Sequence, residues 1–428
     1  MSRVNESQEN GFSVDLLELV LAIASTVDLI SPDVHNHHVR VAFIALELGR
    51  MDGLSSEEAS DLVLAAALHD IGALTLRERL ATFSFEIEEP HTHAELGYRL
   101  LAHFPPFERI ASIVRRHHVD WEDGKGQTFQ GEKVLTASHI IHLADRVDVL
   151  IGRTDSLLMD VEEVLDRIRP LIGRRFIPDL ATALERILRR EAFRLDLSST
   201  KLDRLLLLHT PGTRRQLDTQ GMIGLTRMLS LLIDFQSRFT ATHSSGVAAV
   251  AERLAQLSGY SASKALHFRI AGYLHDLGKI AVPEEILEKP STLDTRQQAL
   301  MRSHSYYTLR LLEQIEGFGE LGKWAAYHHE KLDGTGYPFH VTHEELCPEA
   351  RLMAVADIFT ALTEDRPYRE GMSPLQALST MRKLVEKGAL DLKAVELAAS
   401  NSRELDRVRE HAQAEALEMY TTFREGIE

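Results

Sequence analysis

At 428 residues the chain is too long for one ordinary domain and reads as two. Its hydrophobic content of 44% and charged content of 26% are those of a globular chain in water, and its formal charge of −16 argues against a nucleic-acid polymer as partner. The single cysteine, Cys347, excludes an internal disulfide and points to a reducing compartment.

The first ten residues are polar and carry no basic stretch followed by an apolar run, so no secretion signal is expected. The most apolar segment, Leu16 to Ile30, contains Glu18 and Asp28 and is too short and too charged to span a bilayer. A cytoplasmic protein with no membrane partner is expected. From Gly11 onward the pattern is helical. Apolar residues recur at three and four in Val14–Val27, Val39–Leu48, Glu57–Leu68 and Ala94–Leu101. Turns are marked by Ser31-Pro32-Asp33, Asp52-Gly53, Pro105-Pro106 and Asp123-Gly124, and no run of alternating strand pattern stands out. Residues 160–194 read as one or two amphipathic helices broken near Ile177-Pro178. Pro211-Gly212-Thr213 marks the boundary between two halves, and Ser402 to Phe423 reads as a packing helix with a solvated face. The expected fold is all-α: a first domain over 12–200, a helical linker over 201–220, and a second domain over 221–428.

The halves repeat. His37 precedes His69-Asp70 by the same 32 positions that separate His243 from His275-Asp276. His93 precedes His117-His118 by 24 positions, as His304 precedes His328-His329. Asp145 and Asp357 follow their histidine pairs at nearly equal distances, and LVLAAALHDIG resembles FRIAGYLHDLG. Two copies of one helical unit explain this.

The second copy therefore offers His243, His275, Asp276, His304, His328, His329 and Asp357 as metal ligands. One metal with an open position needs three or four protein ligands, so seven suit two metals with a carboxylate between them. Imidazole with carboxylate favours iron or manganese, with zinc as the alternative, over magnesium or calcium. Two such ions stabilise both the attacking and the leaving oxygen at phosphorus. Lys279 lies one turn after His275 if the helix persists, where it could hold a phosphate oxygen or protonate a leaving group. His209, His267 and His340 read as ordinary core or surface histidines, and His91 and His142 fall outside the repeat.

HDLGK (His275–Lys279), HHEKLDGTGYP (His328–Pro338) and RPYR (Arg366–Arg369) resemble the HD-GYP branch of the HD phosphohydrolases over roughly 225–390. The resemblance implies metal roles for the seven positions and a catalytic role for Asp276 and Lys279. It implies contact of Tyr337, Arg366 and Arg369 with a cyclic dinucleotide, chiefly cyclic di-GMP, opened to linear pGpG and further to GMP. The alternatives are 3′,3′-cyclic GMP-AMP as substrate, or a non-hydrolysing receptor acting through a protein partner. A homodimer or a signalling protein partner is left open. Some members of that family carry a glutamate four residues before the first histidine for a third metal. Phe239 stands there and cannot ligate, so two metals are expected. The first copy is similar to the wider HD superfamily only. His37, His69, Asp70, His93, His117, His118 and Asp145 keep the ligand pattern, so a second metal site is expected there. Ala73 replaces the lysine, and the loop HHVDWEDGKGQ has neither tyrosine nor proline, so catalysis is not expected there.

Overall fold

A computed structural model describes residues 13–28, 36–87, 89–151, 160–212, 214–235, 242–289, 291–365 and 370–425. Phe239, Arg366, Arg369 and the turn at 31–33 lie outside them. The chain divides into one unit over Leu16–Arg215 and another over Gln216–Glu428 that also takes Met1–Asp15.

Both units are helical. The first holds α1 (Leu16–Val27), α2 (His37–Met51), α3 (Ser56–Ala67), α4 (Leu76–Thr82), α5 (Pro90–Leu101), α6 (Glu108–Arg115), α7 (Thr136–Ile151), α8 (Val161–Ile168), α9 (Pro178–Leu188), α10 (Glu191–Leu197) and α11 (Leu202–His209). The second holds α12 (Thr219–Phe235), α13 (His243–Leu257), α14 (Ala262–Leu274), α15 (Glu284–Leu287), α16 (Thr295–Leu312), α17 (Gly319–Ala326), α18 (Pro348–Thr363), α19 (Pro374–Glu386), α20 (Leu392–Ser400) and α21 (Ser402–Arg424). Strand structure among the described residues is limited to two-residue pairs: Val14–Asp15 against Gln216–Leu217, and Thr128–Phe129 against Glu132–Lys133.

Local chemistry starts these helices where the periodicity predicts. Ser55 and Glu58 close a capping box on α3, Thr75 and Glu78 on α4, and Asp294 and Gln297 on α16. Pro178 stands at the first position of α9, where its missing N–H costs nothing. Residues 202–209, read as linker from the sequence, form α11, which buries Leu202 and Leu206 within the first unit. That helix is amphipathic, and its apolar stripe is what ties it to the domain.

The two units use the same frame. In each, a helix opens on the first histidine (α2, α13). It packs on a helix whose C-terminal end carries the His-Asp pair (α3, α14). The third histidine sits on α5 or α16, the histidine pair follows the end of α6 or α17, and the late aspartate lies mid-way along α7 or α18. Core side chains such as Leu62, Phe43 and Phe107 in one unit and Leu254, Phe268 and Phe359 in the other are fully buried around this frame. Rigid packing of this kind fixes where the helix ends point.

Candidate metal centres

In the second unit all seven expected ligands converge. His243 Nε2 lies 3.2 Å from Asp357 Oδ1, and His275 Nε2 lies 3.2 Å from Asp276 Oδ2. The other oxygen of Asp276, Oδ1, faces His304 Nε2 at 3.4 Å and His328 Nε2 at 3.9 Å. The His329 ring stands 4.0 Å from that of His328, centroid to centroid. Asp276 therefore lies between a group formed by His243 and His275 and a group formed by His304, His328 and His329, with one oxygen turned to each. That is the arrangement of a bridging carboxylate.

The first unit repeats it. Asp70 belongs both to the group His37, His69, Asp70 and to the group Asp70, His93, His117, His118. Its Oδ2 is 3.5 Å from His69 Nε2, and its Oδ1 is 3.2 Å from His93 Nε2 and 3.6 Å from His117 Nε2. Asp145 Oδ1 lies 3.7 Å from His37 Nε2 and 3.9 Å from His69 Nε2.

Hydrogen bonding prepares these rings for cations. The Nδ1 atoms of His69, His117, His275, His304 and His328 lie 2.6–2.8 Å from the carbonyl oxygens of Ala66, Val114, Gly272, Met301 and Ala325. A carbonyl only accepts, so each Nδ1 carries the proton and each Nε2 presents a lone pair to the cluster. Buried His37, His69, His117 and His275 Nε2, both Asp70 oxygens and Asp145 Oδ1 have no hydrogen-bond partner. Leaving such groups buried and unsatisfied costs about 1–3 kcal/mol each. Metal cations relieve that cost, and the donor set fits divalent ions that accept both imidazole and carboxylate. Burial holds His69, His304 and His328 below the ordinary histidine range, His304 at about 3, so these rings are neutral and free to ligate. Burial would lower His243 too, but Glu364 and Asp357 outweigh it and raise it, a field that favours any cation at that ring. Burial alone would raise the Asp276 carboxyl; the neighbouring His275 and Lys279 outweigh it and hold it well below the usual range.

Lys279 does not continue the helix. α14 ends at Leu274, and a 3₁₀ turn over Leu277–Ala281 swings the Lys279 ammonium to 2.6 Å from Asp276 Oδ2. It thus touches directly the carboxylate that lies between the two histidine groups. Tyr337 follows Gly336, where an added Cβ would lie 2.4 Å from Glu330 Cα, so only glycine fits. Its ring stands 4.8 Å from that of His329, with the Arg302 guanidinium 5.0 Å from its centre. Buried Glu330 accepts the Phe339 N–H at 2.7 Å and pins this loop.

Several residues here escape sequence reasoning. Glu364 Oε2 lies 3.0 Å from His243 Nδ1 and accepts from Gln413 at 3.2 Å. In the first unit Asp148 holds His37 Nδ1 at 2.8 Å and takes both Arg40 nitrogens. His38 Nδ1 lies 2.5 Å from Asp28, while Ser244 donates to Asp234 at 2.9 Å in the matching place. Burial pushes the Asp234 carboxyl up to about 7 despite the His243 charge. Gly72 and Gly278 were not singled out either. A Cβ on Gly278 would lie 2.0 Å from the His304 carbonyl oxygen, and one on Gly72 would lie 2.1 Å from that of His93. These glycines let the third-histidine helix approach the His-Asp turn. Gly278→Ala is therefore expected to push α16 away and weaken metal binding in the second unit by about 10–100-fold, the scale seen when support of a ligand is lost. Metal titration of the folded variant checks this; parent-like affinity would refute it.

A helical frame that gathers five histidines and two aspartates from helix ends and helix interiors defines a class of divalent-metal hydrolase scaffold. Residues 34–150 and 227–393 each match the HD domain. The chain belongs to the HD-domain family, with two copies in tandem. It is 28% identical over 403 residues to 3′3′-cGAMP-specific phosphodiesterase 1 of Vibrio cholerae, covering 92% of this chain and 93% of that one. A cyclic di-GMP phosphodiesterase of Pseudomonas aeruginosa is 36% identical over 156 residues, covering 36% of this chain and 38% of its own. The fold matches a solved cyclic GMP-AMP-specific phosphodiesterase of V. cholerae with a TM-score of 0.64 and 23% identity, over 92% of this chain and 98% of that one. Among the described residues no helix is long and apolar enough to cross a membrane.

Proposed function

We propose that the chain is a metal-dependent phosphodiesterase of cyclic dinucleotides, with the chemistry in the second unit. The observation that carries this reading is Lys279 against Asp276, which lies between two histidine groups, beside seven candidate ligands that include Asp357 next to His243. The first unit has the ligands but Ala73 in place of the lysine. Two divalent ions, iron or manganese ahead of zinc, would supply charge neutralisation at the phosphodiester and an acidified water.

The protein's own residues do the rest. Asp276 divides its two oxygens between the clusters and sets their spacing. The Lys279 ammonium is placed to hold a nonbridging phosphate oxygen or to give its proton to the departing 3′ oxygen. The Tyr337 ring and the Arg302 guanidinium beside it offer a face to a base, and Arg366 and Arg369 are assigned to the phosphates from the motif. Addition of one water breaks one P–O bond and leaves a linear dinucleotide with a 5′-phosphate, pGpG in the case of cyclic di-GMP. A receptor that binds without turnover would use this lysine only to hold phosphate, not as a proton donor.

Of the two substrates, cyclic GMP-AMP ranks first. Relatives named for it align along 92% and 86% of this chain, first HD domain included. Cyclic di-GMP is the second reading, favoured by the 36% identity of a shorter aligned stretch. The test is kcat/KM for both nucleotides with Mn²⁺ or Fe²⁺. A preference of tenfold or more for cyclic GMP-AMP is expected, and a ratio favouring cyclic di-GMP would reverse the order.

A further inference from the structure

The first unit contains a cavity of about 300 Å³ beside its own candidate metal cluster. Its walls include His118, His142, Lys125, Arg175, Phe85 and Phe129. His118 is one of the cluster's ligand candidates, with its Nε2 3.0 Å from that of His93. Through His118 the cavity borders the cluster.

Three features mark it as a ligand site and not a packing gap. His142 is 4% exposed, its ring stands 5.6 Å from that of His118, and its Nδ1 has no hydrogen-bond partner. A buried polar atom left without a partner beside a cavity is costly, and the cost calls for an explanation at this place. Lys125 is exposed and makes no ion pair among the described residues. Arg175 stands in the same wall, tied to Glu86 at 2.8 Å and Asp120 at 3.3 Å. The loop that forms the rim is rigid. Trp121, Glu122 and Asp123 donate backbone N–H groups to Arg175, Arg174 and Gly173, and Gly124 adopts φ +94. A Cβ on Gly126 would lie 1.9 Å from the Asp120 oxygen, and His139 Nε2 holds the Gly126 carbonyl at 3.1 Å. This is the counterpart of the Gly336-Tyr337 loop. Gln127 follows Gly126 where Tyr337 follows Gly336. The loop has kept its close turn while losing the tyrosine and the proline.

We propose that the cavity of the first HD domain binds a phosphorylated small molecule of the size of one nucleotide, phosphate toward the His118 cluster and apolar part against Phe85 and Phe129. The volume lies at the bottom of the range of about 300–1,000 Å³ for small-molecule pockets, which suits one nucleotide unit and not a cyclic dinucleotide. Cations held by the neighbouring cluster, with Lys125 at the rim and Arg175 in the wall, would favour an anion despite the opposing carboxylates of Asp120 and Glu122 that also line the cavity. Ala73 leaves the bound phosphate without a neighbouring ammonium, so the site is one of capture. The inference rests on metal binding by the first cluster and is independent of turnover in the second unit.

The experiment is isothermal titration of the Mn²⁺-loaded full chain carrying Asp276→Asn, with GMP, AMP and inorganic phosphate as probes. Saturable binding of one equivalent of a nucleoside monophosphate is expected, weaker for inorganic phosphate. Lys125→Glu lies at the exposed rim and should weaken binding at least tenfold, and His142→Phe should abolish it by filling the cavity. No saturable binding, or binding unmoved by both substitutions, overturns the proposal. Because Lys125→Glu sits on the surface, a folding defect in the other variant leaves the test decisive. A chain that hydrolyses no cyclic dinucleotide but still binds a monophosphate in this way keeps this inference and loses the proposed activity.

Discussion

Replacing His275 and Asp276 by alanine should reduce hydrolysis of any cyclic dinucleotide to background. The change removes a ring whose Nε2 is buried without a hydrogen bond and the carboxylate whose two oxygens face the two histidine groups. Without Asp276 neither histidine group would keep the carboxylate that lies between them to hold a cation. With two ions a few Å apart as proposed, loss of the carboxylate between them would remove the device and not merely part of it. The metal content of the second unit should fall, and some thermal stability with it, because metal binding here is coupled to the packing of the helix ends. Asp276→Asn is the gentler companion: it keeps the shape and removes the charge. Parent-like turnover in the double variant at matched metal content would sink the assignment of this site.

The second large effect concerns Lys279. Its ammonium lies 2.6 Å from Asp276 Oδ2 and is 18% exposed, so it stands at the edge of the cluster with one face open. Lys279→Met keeps the stem and removes the charge and the proton. Loss of a positioned general acid costs about 10²–10⁴ in rate, and kcat is expected to fall in that range while KM moves less. Lys279→Arg should recover phosphate binding better than proton transfer, since guanidinium does not give up its proton. Metal content measured beside kcat separates the chemical role from support of Asp276. A methionine variant within twofold of the parent, fully metallated, would remove the lysine from the mechanism.

The sequence made the site legible because the ligands repeat at fixed spacing. His37/His243, His69-Asp70/His275-Asp276, His93/His304 and His117-His118/His328-His329 all come together in their own units. The helical class was legible from periodicity, and α2, α3 and α5 lie within a few residues of the expected segments. What supports the ligands was not legible. Glu364 reaches His243 across 121 residues and Asp148 reaches His37 across 111, and no local pattern announces such pairs. Gly72 and Gly278 look like ordinary turn glycines until the crossing helix is in place. The sequence places Lys279 one turn after His275 only if the helix persists; the chain tightens to 3₁₀ there, and the lysine turns to Asp276 instead. His142 sits outside the repeat, and only its missing partner and the cavity beside it single it out.

The most direct test of the central claim compares turnover in two full-length variants, His69→Ala/Asp70→Ala and His275→Ala/Asp276→Ala, each with verified folding and metal content. The first unit lacks the lysine, so its variant should open cyclic GMP-AMP or cyclic di-GMP at a rate close to the parent's and release a linear 5′-phosphorylated dinucleotide. The second variant should release none. Loss of turnover in a well-folded first-unit variant with its second centre fully metallated, together with activity retained in the second-unit variant, would contradict the account.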